Sequence, residues 1–347
     1  MFLHQDSQVQ TETENDSGCE GCEIESRMHG DGVYREEVIP GKGIGCIALK
    51  DIPAGSLVIR EVPALYVTPD LDGHAETIRA FAEMEPQDQR ELLRLFNLYS
   101  KPETEWSESM RKELKDIEED AGDLEVAEVS RETGMRVWQI WLTNAYDNGV
   151  FLRLSRFNHS CRPNTEYFWN TDLEVWAQDV RTVREVRAGE ELTVCYRSFW
   201  PGNRKERRRD MSYYGFDCCC EGCDVTEEEE EEENQACEQF RQLQLKIQRL
   251  PAERSRKDLE EELTCLKDMF TLCRQIKTIS LKNTLSIIVE EGFEISLQLC
   301  EQEDLKINEK FAQDLKLFST AGLELSTLLH GRSHSRTLQW RERLKNQ

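Results

Sequence analysis

The chain has 347 residues, with 44 lysines and arginines against 68 aspartates and glutamates, a formal charge of −24. That length accommodates roughly two domains, and no run approaches the ~18 apolar residues of a membrane span. So large an excess of acid repels nucleic acid, which leaves a basic protein or peptide as the expected partner.

Residues 1–32 are polar, acidic and without periodicity, and are expected to form a disordered tail. The first sixteen residues, MFLHQDSQVQTETEND, lack a basic n-region and an apolar h-region, so no secretory signal is visible. The 13 cysteines then read as reduced thiols and metal ligands rather than a disulfide framework, and the expected setting is intracellular, nuclear or cytoplasmic. Cys19 and Cys22 have the spacing of half a zinc site, but only His29 is near, and the tail reading is preferred.

From Val33 the texture changes. VYREEVIP, GIGCIALKDI and SLVIREVPALYV are short, β-branched and separated by turn residues, and read as three strands. Residues 75–142 turn helical, with Ile78, Phe81 and Met84 at helical spacing, then Leu92, Leu93, Leu95 and Phe96, then Val137 to Leu142. Strand texture returns between Gly149 and Tyr196, in FLRLSRF, TEYFW, LEVWAQDV and ELTVCY. Two groups of strands around a helical insert make an α+β pattern rather than a βαβ alternation. Arg204–Arg209 reads as a charged helix face in preference to a nuclear signal, and the seven glutamates 227–233 as a solvated linker. Beyond them, apolar stripes through Phe240, Leu259, Leu266, Ile288, Phe311 and Phe318 predict four or five helices in antiparallel hairpins.

The chain has no G-x-x-x-x-G-K-S/T, no H-E-x-x-H and no G-x-S-x-G. Gly41-Lys42-Gly43-Ile44-Gly45 is spaced G-x-G-x-G and leads into a strand, so by itself it is a hairpin turn with glycines at positive φ. The sharper signal is the order of Asn158-His159-Ser160-Cys161-Arg162-Pro163-Asn164, then Gly189-Glu190-Glu191-Leu192 ending in Tyr196, then Cys218, Cys220 and Cys223 in C-x-C-x-x-C. Three such thiols supply three ligands of a tetrahedral zinc, and four thiolates leave no open position, so the metal is expected to be structural. Cys161 is the preferred fourth ligand, with Cys195 and Cys219 competing on chemistry alone. His159 and Cys161 also suggest a base and nucleophile. At i and i+2 on a strand, however, nothing forces contact, and a metal ligand cannot be a nucleophile.

Together these motifs resemble a SET-domain protein lysine methyltransferase, closest to the SET-and-MYND group in its short fungal-type form. The MYND finger of that group is missing, for residues 66–135 contain no cysteine. The resemblance implies a SET β-fold over 33–198 with a helical insert at about 75–142. It further implies a zinc-binding post-SET segment at 199–223, an acidic linker at 224–234 and an all-α helical-hairpin domain at 235–347. It implies S-adenosylmethionine and structural zinc as cofactors. Lys42, Gly43, Ile44, Gly45, Asn158, His159, Tyr196 and Phe216 would bind the first, and Cys161, Cys218, Cys220 and Cys223 the second. Tyr196 matches the catalytic tyrosine and Tyr214 lines the lysine channel, while Asn144 and Ser155 lie where cofactor-adjacent residues are expected. The implied activity is methyl transfer to a lysine of a histone or another basic protein by a monomer, without direct nucleic-acid or membrane contact. The competing reading is an interaction protein whose SET fold has lost turnover and whose helical domain binds partners.

Overall fold

The computed structural model describes residues 28–29, 32–68, 73–100, 108, 111–112, 128–196, 201–301 and 308–346. Cys19 and Cys22, with most of the expected tail, lie outside the described residues. The last part of that tail is ordered after all, since β1 (Met28–His29) pairs antiparallel with β4 (Leu57–Glu61).

β2 (Tyr34–Ile39) and β3 (Gly43–Ala48) form a hairpin whose turn places both Gly41 and Gly43 at φ 77°, a region closed to most side chains. The other edge of β3 pairs with β11 (Glu191–Val194), and β11 pairs in parallel with β8 (Asn158–His159). A second sheet runs β1-β4-β10-β9, with β9 at Thr165–Trp169 and β10 at Gln178–Thr182. A small third sheet joins β5 (Leu65–Tyr66), β7 (Gly149–Val150) and β6 (Ala145–Tyr146). Cys46, Ile59, Phe151, Phe157 and Leu192 fill the core where these sheets meet.

One expected strand is not a strand and another starts late. In FLRLSRF, residues Leu154–Arg156 form a 3-10 turn, held because buried Glu61 accepts the backbone N–H groups of Arg153 and Leu154, each at 2.9 Å. In LEVWAQDV the strand begins only at Gln178. The Asn170 side chain accepts the Asp172 N–H at 3.0 Å, making a turn that lets the chain leave β9 before Trp176.

The helical insert is built from α1 (His74–Ala82), α2 (Pro86–Leu92) and α3 (Arg131–Asn144) around Phe81, Leu92, Val137 and Ile140. After the strands, α4 (Arg204–Ser212) opens on a capping box between Asn203 and Glu206. The glutamate run is not a linker. It forms the first two turns of α5 (Glu227–Gln248), capped by Thr226 and Glu229, where the helix dipole favours negative charge. Its charges also meet the basic face of α4: Arg204 pairs with Glu230 at 2.8 Å and Arg207 with Glu233 at 3.3 Å. α6 (Arg256–Leu272), α7 (Ser286–Glu301), α8 (Asn308–His330) and α9 (Ser335–Lys345) complete the helical region, each packing on its neighbour in sequence. Gly322 lets α8 and α9 approach, for a Cβ there would lie 2.5 Å from the Trp340 ring.

Arg204–Arg209 lies on a charged helix as expected, with Lys205, Arg208 and Arg209 exposed, but Arg207 is 1% exposed. Its guanidinium donates to the Gly202 and Gly222 carbonyls at 2.8 Å each, and to Glu233 and the Thr278 hydroxyl at 3.3 Å. It thus joins α4, the C-x-C-x-x-C loop, α5 and the segment before α7. Removing one partner of a buried ion pair leaves the other charge uncompensated. Arg207→Met is therefore expected to cost about 3–5 kcal/mol in urea unfolding, with Glu233→Leu in the same chain restoring part of it. Unchanged stability in the single variant contradicts this assignment.

Candidate active site and metal centre

The Sγ atoms of Cys161, Cys218, Cys220 and Cys223 all lie within 4.8 Å of one another. Cys161 is 3.9 Å from Cys218 and 3.6 Å from Cys223. Two thiolates bound tetrahedrally to one zinc at ~2.3 Å are separated by about 3.8 Å, so the cluster has the size of a four-cysteine zinc site. The alternatives for the fourth ligand fall away: Cys219 is exposed, and neither it nor Cys195 belongs to the cluster. The thiols cannot all ionise unaided. Hydrogen bonds from Cys161, then Cys218 and Cys223, hold the Cys220 thiol low, while contacts with Cys218, Cys220 and Cys223 push Cys161 well above the thiol range. A divalent cation resolves that conflict.

His159 touches this cluster. Its Nε2 is 3.2 Å from Cys161 Sγ, although strand spacing alone gave no reason for contact. Ser160 N–H still donates to the Val194 carbonyl at 2.9 Å, and just beyond it the chain bends, with the Arg162 N–H donating to Ser160 Oγ at 3.1 Å. The Nδ1 of His159 accepts the Tyr196 N–H at 3.1 Å, so the other ring nitrogen carries the proton toward sulfur. Both ring nitrogens are engaged, which leaves only the His159 backbone for any cofactor.

The Tyr196 hydroxyl donates to the Phe157 carbonyl at 2.9 Å, and its ring lies 5.0 Å from Tyr214. Burial, then the neighbouring Tyr214, pushes the Tyr196 phenol above its usual range. It therefore stays neutral near pH 7. Phe216 is 36% exposed with its ring 6.2 Å from His159.

On the other side of Asn158 stands the glycine hairpin. Asn158 Nδ2 donates to the Ile44 carbonyl at 3.3 Å and to Glu191 at 2.9 Å, and Lys42 Nζ pairs with Glu191 at 2.6 Å. A Cβ at Gly45 would stand 2.3 Å from Ile39 Cδ1, 2.7 Å from Asn158 Nδ2 and 2.9 Å from Glu191 Oε1, so any side chain there would push these three ends aside. Ile44, 40% exposed, and Phe216 thus present apolar surface on either side of Asn158–His159.

Asn144 and Ser155 sit further back. Asn144 donates to the Phe96 and Ile140 carbonyls at 2.8 and 2.9 Å, which commits its amide to the insert, and Ser155 Oγ is 3.5 Å from the Asn144 carbonyl. Sequence reasoning missed two aromatic walls. Tyr146 packs edge-on to Tyr167 at 4.8 Å, and burial, then the neighbouring Tyr196, pushes its phenol well above the usual range. It also missed Lys282, on the π-helical turn Leu281–Leu285, whose Nζ lies 4.1 Å from the Tyr167 ring centre. Buried Glu166 accepts the backbone N–H groups of Lys282 and Leu281, fixing that turn to β9, and burial pushes its carboxyl up to about 7. No motif marks these residues; only the fold gathers them.

The family model described as SET domain matches residues 43–197. The chain is 27% identical over 195 residues to the histone-lysine N-methyltransferase set5 of Schizosaccharomyces pombe, covering 56% of this chain and 51% of that one. It is 26% identical over 220 residues to the putative SET domain-containing protein L678 of Acanthamoeba polyphaga mimivirus, covering 56% and 79%. Against the mouse histone-lysine N-methyltransferase SMYD3 it is 34% identical over 80 residues, covering 23% and 18%. The matches thus span about half of the yeast relative and under a fifth of the mouse one. A crystal structure of the SET domain of LSMT bound to lysine and AdoHcy aligns over 90% of this chain and 91% of that chain, with a TM-score of 0.40 and 12% identity. The SET-domain likeness thus lies in residues 43–197, a little under half of the chain.

Proposed function

We propose that this chain is an S-adenosylmethionine-dependent protein-lysine N-methyltransferase held together by a structural zinc. One observation carries the reading. The aromatic pair Tyr196–Tyr214, the Asn158–glycine hairpin contact and the four-thiol cluster are joined through His159 within a SET domain.

Bound S-adenosylmethionine supplies an electrophilic sulfonium methyl. Lys42 to Gly45 and Asn158 would hold it, with the exposed side chains of Ile44 and Phe216 offering the apolar surface an adenosyl group needs. Tyr196, Tyr214 and Tyr146 would wall the channel of the incoming lysine. In that dry aromatic setting the ammonium loses its proton more readily, and its aliphatic stem packs on the rings. The protein makes no covalent bond, so its part is alignment. Cys161, Cys218, Cys220 and Cys223 would bind zinc and fix Tyr214 and Phe216 against the strands. The charge of −24 favours a basic substrate, such as a histone tail. No helix among the described residues is long and apolar enough to cross a membrane.

Calorimetric titration of zinc-replete protein with S-adenosylmethionine is expected to show saturable one-to-one binding that Asn158→Ala abolishes. Absence of binding by folded, zinc-bound protein removes the methyltransferase reading and leaves that of an interaction protein. Tyr196→Phe is expected to keep cofactor affinity while lowering methyl transfer to core histones about 10²-fold, since it misaligns rather than unbinds. Cys220→Ala is expected to lose zinc by atomic absorption together with cofactor affinity, and full turnover by a metal-free variant contradicts the link between the two sites.

A further inference from the structure

The aromatic row on β9 continues beyond the proposed lysine channel. Tyr167 and Trp169 are two residues apart on one strand and so share a face. An ammonium already sits on this row, for Lys282 Nζ stands over Tyr167. Two residues along, Trp169 meets Trp176 at 5.5 Å and Tyr66 at 6.3 Å, and Tyr66 meets Trp176 at 5.7 Å. The ring planes cross at 75°, 85° and 43°, so they are walls rather than a stack. An ammonium over the exposed Trp176 ring lies within the ~6 Å reach of that ring, with Trp169 and Tyr66 packed against its sides. The Asp147 carboxylate accepts the Trp169 indole N–H at 2.8 Å and places a negative charge beside them. Trp176 is 63% exposed, although burying an indole in a core is favourable, so the loop presents this ring to solvent.

We propose that Tyr66, Trp169 and Trp176, with Asp147 beside them, form an aromatic cup that binds the ammonium of a lysine side chain, methylated or not, in a polypeptide laid along β9. The cup rests on the methyltransferase reading for its biological ligand, a substrate whose target lysine occupies the neighbouring channel. Consecutive same-face positions of an extended chain are about 7 Å apart, so the cup reads a second lysine close to the target in sequence. It discriminates cations from uncharged groups of equal shape, because ring quadrupoles and a carboxylate attract charge and not bulk.

The test uses the full chain without S-adenosylmethionine and follows tryptophan fluorescence during titration with Nε-trimethyllysine, with choline, and with 3,3-dimethyl-1-butanol, the uncharged isostere of choline. The two cations are expected to give a saturable change and the alcohol none. Trp176→Ala, at an exposed position that leaves the fold intact, is expected to weaken the cations about tenfold. Asp147→Asn, which keeps the acceptor for the indole, is expected to weaken them about threefold. Absence of saturation, equal binding of the alcohol, or wild-type affinity in Trp176→Ala overturns the proposal. Calorimetry of S-adenosylmethionine on the same variants separates the two readings. Failure of the cup leaves cofactor binding in place, and failure of cofactor binding leaves the ammonium titration to decide the cup.

Discussion

The contact between His159 and Cys161 is the constraint on which the site depends. On one side Cys161 belongs to the four-thiol cluster, whose other members follow 57 or more residues later. On the other, the same imidazole receives the Tyr196 N–H and so sets where β11 ends and the tyrosine begins. Two ring nitrogens thus connect a metal centre to an aromatic wall through one residue. The neighbouring Asn158 connects the glycine hairpin to the same strand pair. Displacing Cys161 disturbs all three, so under the proposed function loss of metal would reach the hairpin and Tyr196 through this one residue.

Arg207 secures the opposite face of the cluster. Its donation to the Gly222 carbonyl holds the loop between Cys220 and Cys223, and its pairing with Glu233 anchors that loop to α5. The acidic run and the basic run therefore act as one device, with Arg204–Glu230 and Arg207–Glu233 in register along two helices. Buried Glu166 adds a second joint by holding the Lys282 turn against β9, and Phe168, Val183 and Leu329 close it with apolar packing. The helical region is thereby part of the wall around the site.

How much of this could be read from the chain follows from how local each signal is. The N-H-S-C-x-P-N and C-x-C-x-x-C segments carry their chemistry in their spacing, and the structure brings them together as expected. The glutamate run misleads because local charge rules register seven repelling carboxylates, while the opposing arginines lie about 26 positions upstream and are found only by folding. FLRLSRF carries strand-like residues, yet the buried carboxylate of Glu61, far upstream, bends it into a turn. Tyr146, Tyr167 and Trp176 belong to no motif. Each alone is an ordinary aromatic, and only the pairing of short strands and the Asn170 turn set them in one row.

That row also bears on how a lysine would become a nucleophile under the proposed function. Burial raises the phenols of Tyr146, Tyr167 and Tyr196 above their usual range, so each remains a neutral, orienting group near pH 7. His159 spends its lone pair on the Tyr196 N–H and its proton on sulfur, so it is not a base for the substrate either. What remains is the medium. Lys282 shows what the medium does to an ammonium: over the Tyr167 ring, burial pulls its pKa down even though Asp147 and Glu166 act in the other direction. In the proposed channel, desolvation would act in the same direction on a substrate lysine. Under the proposed function the aromatic walls would do two jobs at once, gripping the stem of the side chain and favouring the neutral amine, which is the form that can attack a methyl group.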